Sequence, residues 1–450
     1  MARMNENLTF SQKAGWGLAD MGIVVFVIVK QLLVLSFLTN YLGIAVGLAG
    51  ALTTAILLFD MLIDPVIGYL SDKTNSRYGR RAPWMALGAL VLAGGMVGLF
   101  AVPQDLTQYG ILTWVGGFFA LTTVGFTMVS IPYGASAGEI TKQPKERSAM
   151  MAYRMGFASL GILIGGALIP QLAGGTREGH FFAALCVAPV IVLAIWLSLW
   201  TTRKAPKEIQ PSSKSFSAMV SLVFANRPFV ILVLLYGVMT LAIAIITAGL
   251  PFAALYLIQD NGFTALSGAA NGLGILSLMF AAFVLGSILS QAIWVWVSHL
   301  LGKMNALTLG LVLYIVLLTI IFNSLPSTNV TFIALLFVCA GMTNGAYQQI
   351  PWAIYPDLMD VTNSESGEAI EGAFSAIWLV GQKVANALAP SILAGVLALY
   401  GWQETTGELI EQQPEALAAL QIGITLLPAV ILGVAILGIL ALYRPALRKT

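Results

Sequence analysis

Twelve long apolar stretches run along this sequence, and they constrain its fold more than any other feature. Each is close to or longer than the roughly 20 residues that a helix needs to cross a bilayer. Only 9% of the 450 residues are charged, whereas soluble domains have about 25% charged residues. The sequence therefore predicts an all-α integral membrane protein. The predicted spans are 14–42, 47–72, 82–102, 108–137, 148–172, 178–201, 227–258, 268–299, 303–324, 328–357, 367–399 and 413–443.

The spans fall into two similar halves. "IPYGASAGEI" begins at Ile131 in the fourth span and "IPWAIYPDL" begins at Ile350 in the tenth, each with a carboxylate about two turns later. "RYGRRAPWMALG" after the second span has a counterpart in "LLGKMNALTLG" after the eighth. Such parallel repeats place a substrate site between halves. We predict an N-terminal six-helix bundle (1–201), a cytoplasmic linker (202–226) and a C-terminal six-helix bundle (227–450).

Basic residues indicate the orientation in the membrane. Lys30, Arg154 and Lys383 lie inside predicted spans and Arg177 lies in a loop, whereas the rest of the 22 lysines and arginines fall on the opposite side from Arg177. By the positive-inside rule, the N- and C-termini are cytoplasmic. The basic excess thus indicates orientation, not nucleic-acid binding. We expect a multi-pass, monomeric protein of a bacterial-type inner membrane, with lipid around it.

Two aspartates interrupt the second span. Asp60 and Asp64 are one turn apart on one helix face, so ionised carboxylates there repel each other in a medium that solvates charge poorly. A proton, a sodium ion or a cationic side chain would relieve the repulsion. At about 1.5 Å per residue, Lys30 reaches the depth of Asp60, which predicts that they are partners. The alternative for Asp64, beside Pro65, is a role in helix packing.

The sequence gives no sign of catalytic chemistry. His180 and His299 lie at ends of predicted helices, and no HExxH or paired-cysteine motif is present. Cys186 and Cys339 both lie in predicted helices, which favours core positions over a disulfide or metal pair. We therefore expect neither an enzyme nor a cofactor or resident metal.

A longer motif carries a family resemblance. "DMLIDPVIGYLSDKTNSRYGRRAPW" resembles the helix II signature of the glycoside-pentoside-hexuronide:cation symporters, the melibiose permease group of the major facilitator superfamily. "GWGLADMG", "RSAMMAYRMGFASLG" and "EAIEGAFSAIWLVGQKVANALAP" resemble helices I, V and XI of that family. The resemblance implies a major facilitator fold of two six-helix halves and cation-coupled symport of a sugar or glycoside-like solute by alternating access. Eukaryotic lysolipid symporters share these motifs, so transport of a lysolipid or other amphiphilic anion is the alternative.

The same resemblance implies a cation site. Its residues are Asp60, Asp64, Thr127, Ser130 and Lys383. The sodium-using melibiose permease has an asparagine and an aspartate where this chain has Ile63 and Ser130. Sodium needs several oxygen ligands, as hard cations do, whereas a proton needs one carboxylate. We therefore favour H+ as the coupling ion, with Na+ at Asp60 and Asp64 as the alternative.

Substrate and gate residues follow in the same way. Asp20 and Arg154 match the family's sugar-binding positions, with a simple ion pair as the alternative reading. The full predicted substrate set is Asp20, Lys30, Tyr133, Arg154, Gln348, Trp352 and Trp378. The predicted gate in the loop after the second span consists of Asp72, Arg77, Arg80 and Arg81, for which positive-inside anchoring is the alternative. Because basic side chains lie inside the predicted spans, an anionic substrate such as a uronate or sulfonate is a further alternative.

Overall fold

A computed structural model of the chain describes residues 8–141, 144–205, 221, 223–366 and 371–447. Within these residues it contains the twelve helices long and apolar enough to cross a membrane that the sequence predicts, which confirms the all-α membrane fold. The helices are α1 (Phe10–Leu32), α2 (Val46–Lys73), α3 (Ala82–Phe100), α4 (Gln108–Ile140), α5 (Pro144–Leu163), α6 (Arg177–Thr202), α7 (Arg227–Tyr256), α8 (Ile275–Leu301), α9 (Lys303–Ser324), α10 (Val330–Ser366), α11 (Glu371–Leu399) and α12 (Pro414–Ile424 with Leu426–Gly438).

Several apolar spans are broken where the sequence predicts continuous helices. The first span continues past α1 as a short helix, Val34–Ser36, and a π-helical turn, Phe37–Tyr41. A π-helical turn, Ile164–Leu168, and a last helical segment, Ile169–Ala173, extend α5. The helix Ser267–Leu273 precedes α8 and ends at Gly274, whose φ of 79° favours glycine. The last span ends in a π-helical turn, Ile439–Tyr443, and the helix Arg444–Leu447.

The described residues belong to two compact units. The first comprises Met1–Ile44 and Ala55–Pro211, and the second comprises Ala45–Thr54 and Ser212–Thr450. In the first unit α1 packs against α5 and α6, and α3 packs against α4 and α6. In the second unit α7 packs against α11 and α12, and α9 packs against α10 and α12. The second set repeats the first with a shift of six helices, in agreement with the two similar halves of the sequence.

The first turns of α2 belong to the second unit, which the sequence does not predict. Thr54 donates a hydrogen bond to the carbonyl of Ala387 at 2.6 Å, and Ser391 donates to the carbonyl of Gly50 at 3.0 Å. A Cβ on Gly50 would collide with the Ala394 side chain. The predicted boundaries at 201 and 227 stay predictions, because residues 206–220 of the linker lie outside the described residues.

Both predicted core cysteines are exposed instead of buried. Cys186 on α6 and Cys339 on α10 are exposed and unbonded to each other. An apolar residue of a membrane helix is as stable against lipid as against protein, since lipid tails are as apolar as a core side chain. Hydropathy therefore predicts the span but not the direction in which a cysteine points.

Reciprocal glycine contacts hold α1 close to α5. A Cβ on Gly17 of α1 would lie 2.8 Å from the backbone nitrogen of Arg154, and a Cβ on Gly161 of α5 would lie 2.6 Å from the carbonyl oxygen of Met21. Both distances are too short for real atoms, so each glycine permits the backbones to approach. Small residues have this role between membrane helices generally.

We expect Gly17→Ala to lower the thermal stability of the purified protein by several degrees, because the added methyl group must push α1 away from α5. The control is Gly156→Ala on α5, where a Cβ has no neighbour within 4 Å. Thermal unfolding in one detergent measures both. Equal stability of the two variants would contradict the tight α1–α5 contact.

Candidate functional site

The centre of the first unit contains the two aspartates of α2 and a threonine of α4. Asp60 is buried, with 2% of its surface exposed, and Asp64 is half-buried. Oγ1 of Thr127 lies 3.1 Å from Oδ1 of Asp60 and 3.1 Å from Oδ1 of Asp64. One threonine hydroxyl therefore joins both carboxyl groups.

A lysine from α1 completes this group. Nζ of Lys30 lies 3.6 Å from Oδ2 of Asp60, and the Lys30 side chain is 7% exposed. The same ammonium lies 4.5 Å from the ring centre of Phe126 and 5.4 Å from that of Phe26. We call Lys30, Asp60, Asp64 and Thr127 the carboxylate cluster.

The predicted cation site has two other residues, Ser130 and Lys383, and the family's asparagine position is Ile63 here. Ser130 follows Thr127 by three residues and is half-buried, and no hydrogen bond joins it to either described aspartate. Ile63 is half-buried and has no side-chain oxygen. Lys383 is half-buried on α11, in the second unit. Among the described residues, no group of three or more His, Cys, Asp or Glu side chains could hold a metal ion.

The second charged pair of the first unit joins α1 to α5. Nε of Arg154 lies 3.0 Å from Oδ2 of Asp20. Asp20 is almost fully buried, whereas one third of the Arg154 side chain is exposed. Gly17 precedes Asp20 by about one turn of α1, so the close helix contact at Gly17 brings the carboxylate within reach of the guanidinium.

Tyr133 of α4 lies beside this pair. Its ring stacks on Trp16 with centroids 4.6 Å apart, and the Arg154 guanidinium lies 5.5 Å from its centre. Trp16 donates a hydrogen bond to Ser136 at 2.9 Å, which fixes the indole. The Tyr133 hydroxyl is buried and has no hydrogen-bond partner among the described residues. We call Asp20, Arg154 and Tyr133 the arginine cluster. A buried hydroxyl without a partner at its side is suited to a polar ligand.

The three other predicted substrate residues lie in the second unit. Gln348 on α10 is exposed and accepts a hydrogen bond from Ser287 at 2.9 Å. Trp352 is 42% exposed and donates from Nε1 to the Tyr236 hydroxyl at 3.0 Å. Trp378 is buried and stacks on Tyr236 with centroids 4.3 Å apart. Trp352, Trp378 and Tyr236 thus form an aromatic cluster, in which the buried Nε1 of Trp378 has no hydrogen-bond partner among the described residues.

The predicted gate residues form a charge cluster with a residue that sequence reasoning did not include. Arg80 and Arg81 both bond to Oε1 of Glu139, at 2.5 Å and 3.1 Å, and both also pair with Asp72. Arg77 is exposed and stacks over the neighbouring Tyr78. The signal for Glu139 was present, because it is the carboxylate two turns after Ile131 in the repeated motif.

The second half has a matching ion pair. Nζ of Lys303, in the counterpart of the basic segment, lies 2.6 Å from Oδ2 of Asp357 and donates to the carbonyl of Ala353 at 2.9 Å. Asp357 is the carboxylate two turns after Ile350. In both copies of the motif the carboxylate two turns after Ile-Pro-aromatic pairs with a basic residue at or just before the start of another helix.

The fold has many solved counterparts. A bacterial homologue of the human drug peptide transporters PepT1 and PepT2 superposes with a TM-score of 0.68 over 98% of this chain and 99% of that chain, at 13% identity. At that identity the likeness concerns the fold alone. Together with the two sets of helix pairs, it establishes the major facilitator fold of two six-helix halves.

Sequence relatives extend along nearly the whole chain. The putative glycoside/cation symporter YagG of Escherichia coli (strain K12) is 26% identical over 433 residues, covering 94% of this chain and 90% of the relative. The sodium-dependent lysophosphatidylcholine symporter 1 of Xenopus tropicalis is 23% identical over 386 residues, covering 77% and 71%. The family model for "MFS/sugar transport protein" matches residues 15–445. The chain therefore belongs to the sugar-transport family of the major facilitator superfamily, as a multi-pass membrane transporter and not an enzyme.

Proposed function

We propose that this protein is a proton-coupled symporter that carries a neutral sugar or glycoside across a bacterial inner membrane, with both termini in the cytoplasm. The family and the glycoside/cation relative support symport of a sugar with a cation. The distribution of lysine and arginine supports the orientation. The finer parts of the proposal, the ion and the substrate, rest on the two charged clusters of the first unit.

The single observation that carries the choice of ion is the Thr127 hydroxyl between two carboxyl groups. A hydroxyl has one hydrogen, so Thr127 either donates fully to one of Asp60 and Asp64 or shares its hydrogen between them. When one carboxyl carries a proton, that carboxyl can donate to Oγ1, and both 3.1 Å contacts are then full hydrogen bonds. The geometry is therefore satisfied by one proton on the pair. Adjacent carboxyl groups in a low dielectric favour such sharing.

The ligand set argues against sodium. A sodium ion would need oxygen atoms around it, and Ile63 contributes none. Ser130 has a hydroxyl but makes no bond to the described carboxylates. With Oδ2 of Asp60 engaged by Lys30, the remaining side-chain oxygens of Asp60, Asp64 and Thr127 are few for a hard cation.

The arginine cluster supports a neutral, hydroxyl-rich substrate. Asp20 compensates the charge of Arg154, and Lys30 pairs with Asp60 rather than with a ligand. An uncharged sugar can insert between Asp20 and Arg154, with hydroxyls that donate to the carboxylate and accept from the guanidinium. The buried Tyr133 hydroxyl offers a further partner. These contacts favour a glycoside over a uronate or sulfonate.

Lysolipid transport is the second candidate, since one relative is named a lysophosphatidylcholine symporter. The arginine cluster favours the sugar, because its polar contacts suit several hydroxyl groups and none of them needs an acyl chain. A thermal-stability screen of neutral glycosides, uronates, sulfonated sugars and lysolipids separates the classes, since any ligand that binds the folded state raises its apparent stability. Stabilisation by lysolipids without stabilisation by glycosides would overturn the sugar assignment.

We propose that the charge cluster of Asp72, Arg80, Arg81 and Glu139 acts as a gate, whose ion pairs break and re-form as the transporter alternates between its two access states. Four charges from three chain segments meet within the first unit, and the second unit repeats the arrangement at Lys303 and Asp357. Partly exposed ion pairs of this kind are weak enough to break and reform during a cycle.

We expect Asp64→Asn to abolish uphill substrate accumulation driven by an imposed proton gradient, because the pair then loses the carboxyl that exchanges the proton. Exchange of labelled for unlabelled substrate should continue, since it requires no net proton movement. Proteoliposome uptake measures both. Asp105→Asn in an exposed loop is the matched control and should leave both unchanged. Uphill accumulation that survives in Asp64→Asn, or that requires sodium and ignores the pH gradient, would refute proton coupling through this pair.

We expect Arg154→Lys to weaken substrate binding about tenfold to 100-fold, since one charged hydrogen bond contributes about 1.5–3 kcal/mol and lysine lacks the planar fork of arginine. The positive charge beside Asp20 is kept, so the protein should still fold. Ligand-induced stabilisation measures the affinity, and Arg203→Lys at the exposed end of α6 is the control. Unchanged affinity would assign Arg154 to helix packing.

A further inference from the structure

The surroundings of the Lys30 amine form a complete site for a positive charge. The ammonium faces the carboxylate of Asp60 and the ring faces of Phe126 and Phe26. Aromatic rings attract cations through their negative faces. Lys30 also lies in the last turn of α1, where the helix dipole favours a positive charge. Four features of three helices therefore converge on one cation that is covalently part of the chain.

We propose that Lys30 determines the ion selectivity of the transporter: its ammonium acts as a tethered cation that occupies the cation position beside Asp60 and so excludes Na+ and Li+ from the carboxylate cluster. The proposal builds on the proposed function, since it concerns the same cluster. It adds a residue and a physical reason for the choice of ion.

The exclusion follows from charge and from ligand number. A metal ion near Asp60 would lie close to a like charge in a poorly solvated site, which is unfavourable. Lys30 also takes up one carboxylate oxygen, Oδ2 of Asp60, at 3.6 Å. With that oxygen engaged, an entering metal ion keeps fewer ligands than a hard cation requires.

A proton meets neither obstacle. It binds covalently to one carboxyl oxygen and needs no shell of ligands. The Oδ1 atoms of Asp60 and Asp64 both lie 3.1 Å from Oγ1 of Thr127, whereas the Lys30 ammonium lies 3.6 Å from Oδ2 of Asp60. Protonation of Asp64 removes one negative charge and leaves the Lys30–Asp60 ion pair intact.

The test measures ion binding to the purified full-length protein by thermal stability in sodium, lithium or choline chloride at equal ionic strength. We expect the unchanged protein to show the same stability in all three salts. Lys30→Gln removes the charge at nearly constant size, so we expect a saturable stabilisation by Na+ and Li+ of several degrees. Lys30→Arg keeps the cation and should behave like the unchanged protein. Lys30→Gln combined with Asp60→Asn should lose the sodium effect.

Each outcome decides the proposal. Saturable sodium stabilisation of the unchanged protein, or folded Lys30→Gln that does not respond to sodium, would overturn it. If Lys30→Gln does not fold in choline, the smaller Lys30→Ser is assayed beside it, and rescue of either variant by sodium supports the proposal. Failure of both to fold even in sodium would assign Lys30 to structure and overturn ion selectivity.

The readout is independent of the proposed transport cycle. Sodium binding to Lys30→Gln requires no substrate and no gradient, so it can appear even if the substrate is not a sugar. Conversely, uphill accumulation that persists in Asp64→Asn would refute proton coupling while leaving the effect of Lys30 on sodium binding intact. The two failures are therefore distinguishable.

Discussion

Pairing of charges inside the bilayer is the constraint on which the first unit depends. Hydrocarbon solvates charge poorly, so a charged side chain at membrane depth needs an opposite charge close by. In the described part of the first unit, Asp20 pairs with Arg154 and Lys30 pairs with Asp60. Each pair has one member on α1, and the helix provides a negative charge to the arginine cluster and a positive charge to the carboxylate cluster. The position of α1 therefore determines the geometry of both clusters.

Close packing holds α1 in that position. Gly17 and Gly161 remove the side chains that would separate α1 from α5, and Gly22 similarly approaches the backbone of Ile191 on α6. Along α1, at about 1.5 Å per residue, the two charged positions are about 15 Å apart. A rigid helix of this kind transmits a displacement at one cluster to the other. In the proposed cycle, α1 is therefore the element that couples ion binding to substrate binding within the first unit.

Hydropathy predicted the helices well because length and apolar composition are sufficient to define a span. Depth along two antiparallel helices also predicted that Lys30 reaches Asp60, a contact present at 3.6 Å. The sequence carries no comparable information on how a helix is rotated about its own axis. It therefore did not predict that Glu139 faces Arg80 and Arg81. Helix breaks were missed for a related reason: the apolar run continues through Gly274, whose positive φ is a matter of local backbone geometry.

The net charge of the carboxylate cluster gives a physical reason for the unprotonated transporter to change conformation slowly. Lys30 and the two aspartates together carry a formal charge of one negative unit, whereas one added proton brings the sum to zero. Reorientation that moves the cluster through a poorly solvated arrangement is more costly for the charged form than for the neutral one. Without Lys30, neutralisation would require two protons or a metal ion. In the proposed cycle Lys30 thus reduces the positive charge needed to neutralise the cluster to a single proton, so one residue would determine both the kind and the number of coupling ions.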